Sequence, residues 1–507
     1  VDGSSVHSTI DANVQMIVEK YLAKFMEEFK DNYKPGNGAE NVGCIIQWVN
    51  TGEILAMASV PTYDLNNVRD PQALLGSMMV EKVDTANGYY EIKKNGTVID
   101  QTVLDAMSED DLYLNLNNLW KNYCITGTYE PGSVAKPFTV AMALEKGDIT
   151  PNSTFECSGY MEIGGYKIRC HNGAEGTMTL EKAVAKSCNV TMMKIAQLVG
   201  ADDFCEFQRV FNFGLKTNVD LAGEARTASL VYSADQMGPT DLATNSFGQN
   251  FNVTMIQMIT AFSSLINGGY YYEPHLVSKI TNASGATVEN IEPRILKQTV
   301  SEETSAYIRQ YCKAVVTEGT GKTARPAGYM IGGKTGTAET IDQNTHKRSK
   351  DEHVVSFMGY APADNPQIAI YVVVDRPNVS HQGDAKHATR LVRSILTEVL
   401  PYLNIFMTEE LSDTEREELA ALNLEITTQY GQQTSDTTPG EDDGETQPEQ
   451  PAEGEEQPAW MSYPIDPATG YRVDPETGYK YDAQEGFLVE GDENVMGEDG
   501  PVNPNIN

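Results

Sequence analysis

Long hydrophobic runs are missing from this sequence. No stretch of about 18 consecutive apolar residues occurs in the 507 residues, so nothing in the chain has the pattern of a membrane-spanning helix. A signal peptide is also missing, and the first residue is Val1 instead of methionine. We therefore interpret the chain as a mature or trimmed fragment, an interpretation that leaves room for an anchor upstream of Val1.

Basic residues are scarce. The chain has 37 Lys and Arg against 72 Asp and Glu, a net charge of −35, which argues against nucleic acid or an anionic membrane as a partner. About half of that excess lies in residues 431–507, where 19 acidic residues meet 2 basic ones. The remaining body is only mildly acidic.

Cysteine is also sparse, and its pattern is irregular. The seven cysteines are scattered and odd in number, so they do not form a disulfide framework, and no Cys/His spacing resembles a zinc site. Cys157 and Cys170 flank a run with a Gly164-Gly165 turn that predicts a hairpin. Either a bridge across this hairpin or two reduced thiols fits the sequence. No metal is expected.

Helical and extended patterns alternate in a way that predicts an α+β fold. Helices are predicted from the cap signal near Ser8, near Ser133, from Thr179 to Val199, from Thr254 to Gly268-Gly269, and over 384–399. Two strands are predicted in 43–60, and three more within 329–338, 353–361 and 367–375. Strands at both ends with helices between them predict an antiparallel sheet with an inserted helical lobe.

Composition divides the rest of the chain. Residues 64–120 are polar and acid-rich and are predicted to be an irregular surface insertion, and residues 406–430 form a helical or linker segment. Residues 431–507 have the composition of a disordered acidic tail. That tail contains three eight-residue repeats over 466–489, each with a turn-forming sequence. A solvated spacer is favoured over a tail that docks on a partner.

Candidate chemistry begins with "YEPGSVAKPF", residues 129–138. Ser133 and Lys136 are three positions apart at a predicted helix start, so they share one face of the helix. A serine hydroxyl becomes a nucleophile when a neighbouring base takes its proton, and a buried lysine can be neutral and serve as that base. Alone, a Ser-x-x-Lys pattern is too common to indicate a function.

Two further motifs strengthen the hypothesis. Ser187-Cys188-Asn189 follows within or just ahead of a predicted helix, and it offers a hydroxyl for proton relay and an amide that can hold a substrate carbonyl. "KTGT", Lys334 to Thr337, comes later still, in a predicted strand. Its lysine and its two threonine hydroxyls suit a carboxylate, and Gly336 allows the close approach of a peptide backbone. The order and contexts of the three motifs predict an acyl-transfer site.

This set of motifs resembles that of penicillin-binding proteins and serine β-lactamases. The resemblance to the class B penicillin-binding transpeptidase domain spans roughly residues 5–405. It is carried by five segments: "TGEILAMASVPTYDLNN", "NLWKNYCITGTYEPGSVAKPF", "TLEKAVAKSCNV", "SFGQNFNVTMIQMITAFSSLINGG" and "GTGKTARPAGYMIGGKTGTAE". The chain departs from the family in "SVAK", where a Thr-Phe pair is more usual between Ser and Lys, and in Asn250-Phe251-Asn252. Neither departure changes a motif side chain.

The resemblance implies a transpeptidase domain over residues 1–405, with a five-stranded antiparallel sheet covered by helices and an all-helical lobe. It implies Ser133 as nucleophile, Lys136 as general base, and Ser187, Asn189 and Lys334 as further catalytic residues. Thr335, Gly336 and Thr337 are the implied substrate-binding residues. No cofactor is implied.

The implied activity is cross-linking of peptidoglycan stem peptides that end in D-Ala-D-Ala, with inhibition by β-lactam antibiotics. The implied location is the extracytoplasmic face of the bacterial membrane, with a membrane glycosyltransferase as partner through an N-terminal region outside this sequence. A serine β-lactamase, a DD-carboxypeptidase and a non-catalytic sensor or wall-binding module are the alternatives. A lactamase needs a base for deacylation, and no motif for one is present.

Overall fold

The computed structural model describes residues 3–84, 90–342, 347–422, 472–473, 480–481 and 488–490. The chain divides into two units, Val1–Thr434 and Ser435–Asn507. The described helices are, in chain order, α1 Ala12–Glu28, α2 Gln101–Ala106, α3 Glu109–Leu119, α4 Tyr123–Thr126, α5 Lys136–Lys146, α6 Leu180–Ala185, α7 Asn189–Val199, α8 Ala201–Val210, α9 Pro239–Asn245, α10 Met255–Ile266, α11 Glu302–Thr317, α12 Lys386–Tyr402 and α13 Asp413–Ala421.

The described strands form one sheet of five strands and several sheets of two or three strands. The described strands are β1 Ser5–Ser8, β2 Ala39–Trp48, β3 Ile54–Val60, β4 Met78–Asp84, β5 Tyr90–Val98, β6 Thr154–Cys157, β7 Tyr160–Ile163, β8 Tyr166–Arg169, β9 Gly176–Thr179, β10 Tyr270–Tyr272, β11 Val277–Thr281, β12 Thr287–Asn290, β13 Ile295–Gln298, β14 Gly332–Ile341, β15 Arg348–Ala361, β16 Ile368–Pro377, β17 Arg472–Val473, β18 Lys480–Tyr481 and β19 Leu488–Glu490. Within the part of the chain that the structure describes, no helix is long and apolar enough to cross a lipid bilayer.

The large sheet has five antiparallel strands in the order β14-β15-β16-β2-β3. This confirms the predicted sheet, in which two strands come from the beginning of the chain and three from its end. The central strand β16 reads "IAIYVVV" at its start because both faces of the sheet are covered, and a strand buried on both sides is apolar at every position. Strand β14 is the edge strand beside the helical lobe.

Two hydrophobic cores lie on opposite faces of this sheet. Ile370, Val372 and Val374 of β16 pack in one core with α12 and with the apolar stripe of α1. The intervening Tyr371 and Val373 pack in the other core, with the helical lobe. The lobe is organised around α10, whose twelve residues are all buried. The helical lobe therefore packs on one face of the sheet, and β14 is the edge strand that it contacts.

The capping chemistry of the helices explains several boundaries. Asp11 caps α1 by accepting hydrogen bonds from the backbone N–H groups of Asn13 and Val14. Thr254 and Gln257 form a capping box at the start of α10. Helix α12 covers Lys386–Tyr402 and so begins and ends slightly later than the predicted span of 384–399.

Two predictions of local structure were wrong. The single helix predicted from Thr179 to Val199 is two helices, α6 and α7, which are interrupted at Ser187. Residues 64–120 are not irregular, because they form the hairpin β4-β5 and helices α2 and α3 around a small core of Leu74, Ile99, Leu104 and Leu116. These elements are too short and too polar to give a clear hydrophobic periodicity, so they were not predicted from the sequence. Their assignment as a surface insertion stays a prediction.

The second unit is described only at three short strands. Strands β17, β18 and β19 begin at residues 472, 480 and 488, so each eight-residue repeat supplies one strand of an antiparallel sheet. Tyr471, Tyr479 and Phe487, which occupy equivalent positions in the three repeats, lie outside the described residues, as does most of the predicted acidic tail. Helix α13 lies within the predicted helical or linker segment 406–430.

Candidate active site

The Ser133 segment begins as a tight turn and continues as a helix. Residues Gly132–Ala135 form a 3-10 turn that leads into α5, and Pro137 occupies the first turn of that helix, where a backbone N–H group is not needed. Lys136 is fully buried, whereas Ser133 is partly exposed. The segment therefore leaves the serine partly open to solvent and buries the lysine three residues later.

Three hydrogen bonds engage the ammonium group of Lys136. Its Nζ lies 2.6 Å from the Ser187 carbonyl oxygen, 2.9 Å from Ser187 Oγ and 2.7 Å from Asn189 Oδ1. The first two motifs predicted from the sequence thus lie together. Burial disfavours the charged form and lowers the pKa of Lys136 from 10.5 to about 8. Roughly a tenth of Lys136 is then neutral at pH 7, far more than for an exposed lysine.

The break between α6 and α7 forms the second part of the site. Ser187 has a φ of 57°, a left-handed conformation that is uncommon for a residue with a Cβ atom. Cys188 caps α7, and Asn189 is the first residue of that helix. Asn189 Nδ2 also donates a hydrogen bond to the Arg169 carbonyl oxygen at 3.0 Å. This left-handed turn directs the carbonyl oxygen and hydroxyl of Ser187 toward Lys136.

The third motif occupies edge strand β14. Lys334 is fully buried, and its Nζ lies 3.1 Å from Ser187 Oγ and 3.0 Å from the Thr335 carbonyl oxygen. Burial and the nearby charge of Lys136 lower the pKa of Lys334 well below its ordinary value. The hydroxyls of Thr335 and Thr320 are 2.6 Å apart, and the Thr337 hydroxyl donates to the Gly383 carbonyl oxygen at 3.3 Å.

Glycines allow these segments to approach one another. Gly132 has a φ of 61°, and a Cβ atom there would lie 2.4 Å from the Thr337 carbonyl oxygen. At Gly248 a Cβ atom would lie 1.9 Å from the Gly132 carbonyl oxygen. A Cβ atom at Gly336 would lie 2.3 Å from Ser356 Oγ and 3.1 Å from the Pro131 carbonyl oxygen. Gly336 thus makes room for the protein's own chain, and its contact with substrate stays a prediction.

An ion pair that was not predicted from the sequence lies beside the Ser133 segment. Glu130 accepts two hydrogen bonds from the guanidinium group of Arg348, at 2.6 and 2.7 Å, and one from the Asn250 backbone N–H group at 2.9 Å. Arg348 also donates to Asn250 Oδ1 at 3.0 Å. Glu130 is visible in "YEPGS", but no local pattern indicates that Arg348, which lies far along the chain, is its partner.

All seven cysteines are free thiols in the structure. Of the two alternatives for Cys157 and Cys170, a disulfide bridge or two reduced thiols, the structure therefore has the second. Their Sγ atoms are 3.5 Å apart. Cys188, which separates Ser187 from Asn189, lies next to this pair, with its Sγ 3.6 Å from that of Cys170.

Comparison with known proteins agrees with this arrangement. The family model of the penicillin binding protein transpeptidase domain matches residues 42–397. Stage V sporulation protein D of Bacillus subtilis (strain 168) is 32% identical over 407 residues, which are 80% of this chain and 54% of that protein. Peptidoglycan D,D-transpeptidase FtsI of Escherichia coli (strain K12) is 26% identical over 404 residues, 80% of this chain and 58% of that protein. The chain thus spans little more than half the length of these relatives.

A solved structure has the same fold. Penicillin binding protein 3 of Mycobacterium tuberculosis, complexed with ampicillin, superposes with a TM-score of 0.63 at 26% identity, over 81% of this chain and 80% of that one. The residues matched by the family model include all three motifs and all five strands of the large sheet except the very start of β2. The chain therefore belongs to the penicillin-binding protein transpeptidase domain family.

Proposed function

We propose that this chain is a serine D-Ala-D-Ala transpeptidase that cross-links peptidoglycan stem peptides and is acylated by β-lactams. The observation that carries the proposal is the meeting of all three motifs at one hydroxyl group. Lys136 Nζ and Lys334 Nζ lie 2.9 and 3.1 Å from Ser187 Oγ. The name of the Escherichia coli relative and the ampicillin complex of the structural relative support the same chemistry.

The donor peptide binds along β14 in this proposal. Because β14 is an edge strand, its outer backbone groups can pair with an extended peptide. The terminal carboxylate of the donor then lies near Lys334, Thr335 and Thr337, which offer an amine and two hydroxyl groups. The bound carboxylate favours the protonated form of Lys334 and so opposes the lowering of its pKa by burial and by Lys136. The exposed side chain of Thr337 supports this placement.

Ser133 and Lys136 carry out acylation in this proposal. Neutral Lys136 accepts the proton of Ser133 as Ser133 Oγ attacks the penultimate D-Ala carbonyl carbon. The backbone N–H groups of Ser133 and Thr337 stabilise the oxyanion, an effect worth about 2.7–4 kcal/mol per donor. The bond to the terminal D-Ala nitrogen then breaks, and Ser187 relays a proton from Lys136 to this leaving amine. Asn189 holds the amide of the acyl group.

Deacylation transfers the acyl group to a second stem peptide. The amine of that peptide attacks the acyl-Ser133 carbonyl carbon, loses its proton to the same lysine and serine pair, and releases the free Ser133 hydroxyl. A β-lactam imitates the donor but keeps its leaving group tethered, so that the acyl-Ser133 species is long-lived. The proposed mechanism needs no metal or organic cofactor.

Labelling with a fluorescent penicillin tests the nucleophile. The Ser133→Ala variant should lose covalent labelling, and its free energy of unfolding should change by no more than about 1 kcal/mol because Ser133 is not part of the core. The exposed Ser380 supplies the matched control, and Ser380→Ala should label normally. Labelling of the Ser133→Ala variant would contradict the assignment.

The fate of the acyl group separates the alternatives. Slow release of the label supports a penicillin-binding transpeptidase, whereas rapid turnover of the drug would identify a β-lactamase. With a donor peptide and an added amine, a cross-linked product is expected. Hydrolysis alone in the presence of that amine would identify a DD-carboxypeptidase.

The proposal places the enzyme on the extracytoplasmic face of the bacterial membrane, where its substrate is found. It includes an N-terminal anchor outside this sequence and a membrane glycosyltransferase partner. The greater length of the two relatives supports this part. Membrane fractionation of the full-length gene product, followed by cross-linking and mass spectrometry, tests both. Recovery of the full-length product in the soluble fraction would contradict the anchor.

A further inference from the structure

A cavity lies between the large sheet and the 64–120 segment. Its walls come from β2, β3, the end of β16 and the loop between α1 and β2 on one side, and from β4, β5 and α3 on the other. Its volume is about 100 Å³, which is room for several water molecules or for one small chemical group. We propose that this cavity is a binding site for a small oxyanion, a carboxylate or a phosphate group.

The cavity is separate from the candidate active site. The three motifs meet at β14, which is one edge of the five-stranded sheet, whereas the sheet strands that line the cavity are β16, β2 and the opposite edge strand β3. None of the residues assigned to acylation lines the cavity. Binding there therefore does not depend on the acyl-transfer chemistry.

The ionisable side chains that line the cavity are mostly basic. One carboxylate, Glu40, faces four cations, which are Lys34, Lys94, Lys121 and Arg376. This local balance is the reverse of that in the whole chain, which has 72 acidic and 37 basic residues. Fixed positive charge around a cavity raises the local concentration of small anions.

Glu40 neutralises only part of this charge. It forms ion pairs with Lys94 and, at 3.0 Å, with Arg376. Burial alone would raise the pKa of Glu40, but the charges of Lys94, Arg376 and Lys34 hold that pKa below its ordinary value. Arg376 is further paired with Asp375 at 2.8 Å. Lys94 and Arg376 thus already have carboxylate partners within the protein.

The other two cations are left for a ligand. Lys34 and Lys121 form no ion pair with any residue that the structure describes. Lys121 Nζ makes only a long contact of 3.4 Å with Asn118 Oδ1. Within the same described ranges, the Asn118 side-chain NH₂ group and the Ser59 hydroxyl also have no hydrogen-bond partner. These four groups can all donate hydrogen bonds, and an ionised carboxylate or a phosphate group supplies the acceptor oxygens.

The loop that carries Lys34 is fixed before any ligand binds. Asn378 is only 2% exposed, and its Oδ1 accepts hydrogen bonds from the backbone N–H groups of Lys34 at 3.0 Å and Tyr33 at 3.3 Å. Its Nδ2 donates to the carbonyl oxygens of Lys34 at 2.7 Å and Asn37 at 3.2 Å. The Asn37 N–H group donates to the Gly76 carbonyl oxygen at 3.0 Å and so joins the loop to the 64–120 segment. This order reduces the entropy that binding would cost.

Calorimetric titration of the full chain with inorganic phosphate and, separately, with acetate tests the proposal. Saturable binding of one anion per chain is expected, with a dissociation constant of about 1 mM for the better of the two, since two or three charge-assisted hydrogen bonds are available. Tighter binding of phosphate identifies a phosphate site, and tighter binding of acetate identifies a carboxylate site. Absence of saturable binding of either anion below about 10 mM would overturn the proposal.

Variants show whether the anion binds in this cavity. Lys34→Met and Lys121→Met should each weaken binding by about 10-fold, because each removes one charge-assisted hydrogen bond. Lys34→Arg keeps the charge and should stay within about 3-fold of the unmodified affinity. Lys24→Met is the matched control, since Lys24 is an exposed residue of α1 that does not line the cavity, and its variant should bind normally.

Thermal unfolding without added anion shows whether these variants are folded, and their midpoints should match that of the unmodified chain because neither lysine is buried. Unchanged affinity in both Lys34→Met and Lys121→Met would place the anion elsewhere, for example at the β14 motif, and would overturn the proposal. An equal loss in Lys24→Met would also overturn it, because that result would show a dependence on net charge alone.

Discussion

Lys136 and Lys334 donate to the same hydroxyl group, Ser187 Oγ, over distances of 2.9 and 3.1 Å. Both side chains are fully buried. Two ammonium groups this close repel each other, and burial disfavours the charged form of each. The pKa of Lys334 is lowered well below its ordinary value, and that of Lys136 is lowered to about 8. The pair therefore supplies a neutral amine close to neutral pH, which a general base requires.

The first prediction concerns the pH dependence of acylation. If neutral Lys136 is the base, the rate of penicillin acylation should rise with pH and level off above a pKa of about 8. Lys136→Arg should reduce the rate by about 10²–10⁴-fold and remove this rise, because a guanidinium group does not lose its proton in this range. Stopped-flow acylation from about pH 6 to about pH 10, which extends about two units on either side of the shifted lysine pKa of about 8, measures both.

The control for this measurement is Lys146→Arg, at the exposed end of α5, which should keep the pH profile of the unmodified chain. A rate that does not change with pH in the unmodified chain would exclude Lys136 as the base.

The second prediction concerns stability. Lys136 binds its proton less readily in the folded chain, with a pKa of about 8, than in the unfolded chain, with a pKa near 10.5. Between these values the unfolded state holds more protons, so the free energy of unfolding should rise with pH from about 8 to about 10.5. Lys136→Met should reduce this rise to the part that Lys334 contributes, and it should stabilise the fold by about 1–3 kcal/mol at neutral pH while abolishing acylation.

Urea denaturation at several pH values checks this second prediction. Loss of the hydrogen bonds to Ser187 and Asn189 opposes the gain, which is why the expected figure is modest. A Lys136→Met variant that is less stable than the unmodified chain at neutral pH would show that those hydrogen bonds outweigh the cost of burying the charge.

The third prediction concerns Gly132. Its φ of 61° and the 2.4 Å that would separate a Cβ atom from the Thr337 carbonyl oxygen mean that Gly132→Ala must push the Ser133 segment away from β14. Displacing a reacting group by about 1 Å can reduce a rate by about 10²-fold, so a loss of that order in acylation is expected. Gly147→Ala is the matched control, because Gly147 has a φ of 81° but no atom within 4 Å of a Cβ position.

The two glycine variants separate strain from displacement. Gly147→Ala should lower stability by about 1–2 kcal/mol through the left-handed conformation alone and should leave acylation unchanged. Equal acylation rates for Gly132→Ala and the unmodified chain would show that the close approach of the Ser133 segment and β14 has no part in positioning the nucleophile.

Sequence patterns predicted the parts of the fold that have strong local signals. Strands β3 and β16 are apolar over long runs, as is the second half of β15, and the capping residues at Asp11 and Thr254 mark their helices clearly. The break at Ser187 was not predicted, because "TLEKAVAKSCNVTMMKIAQLV" keeps a helical pattern throughout. Tertiary contacts override that pattern, since Lys136 holds the Ser187 carbonyl oxygen at 2.6 Å.

The motif residues could be named from the sequence, but most of their relationships could not. Helix spacing predicts that Ser133 and Lys136 share a face, and the sequence has no comparable signal for contacts between residues that are far apart in the chain. The contact of Lys136 with Ser187 and Asn189, the cysteine cluster and the Glu130–Arg348 pair all depend on how the lobe packs on the sheet. Such contacts follow from tertiary structure alone.

The last prediction concerns the Glu130–Arg348 pair. The Glu130 side chain is only 9% exposed, and it accepts a two-pronged hydrogen bond from Arg348 just before the nucleophile in the chain. Arg348→Gln leaves this carboxylate without its charged partner, so a loss of stability of about 1.5–3 kcal/mol is expected. Acylation should also slow, because Glu130 fixes the backbone of Asn250 beside the Ser133 segment.

Arg294→Gln is the matched control for this pair. Arg294 makes a similar two-pronged contact with Glu273, but its side chain is 65% exposed, so solvent screens the interaction and the variant should unfold at the unmodified midpoint. Denaturant unfolding and penicillin acylation are measured for both variants and for Glu130→Gln combined with Arg348→Gln. The double variant should recover part of the stability lost in Arg348→Gln, because it no longer buries an unpaired charge. Equal losses in Arg348→Gln and Arg294→Gln would show that the Glu130 contact is no stronger than a surface ion pair.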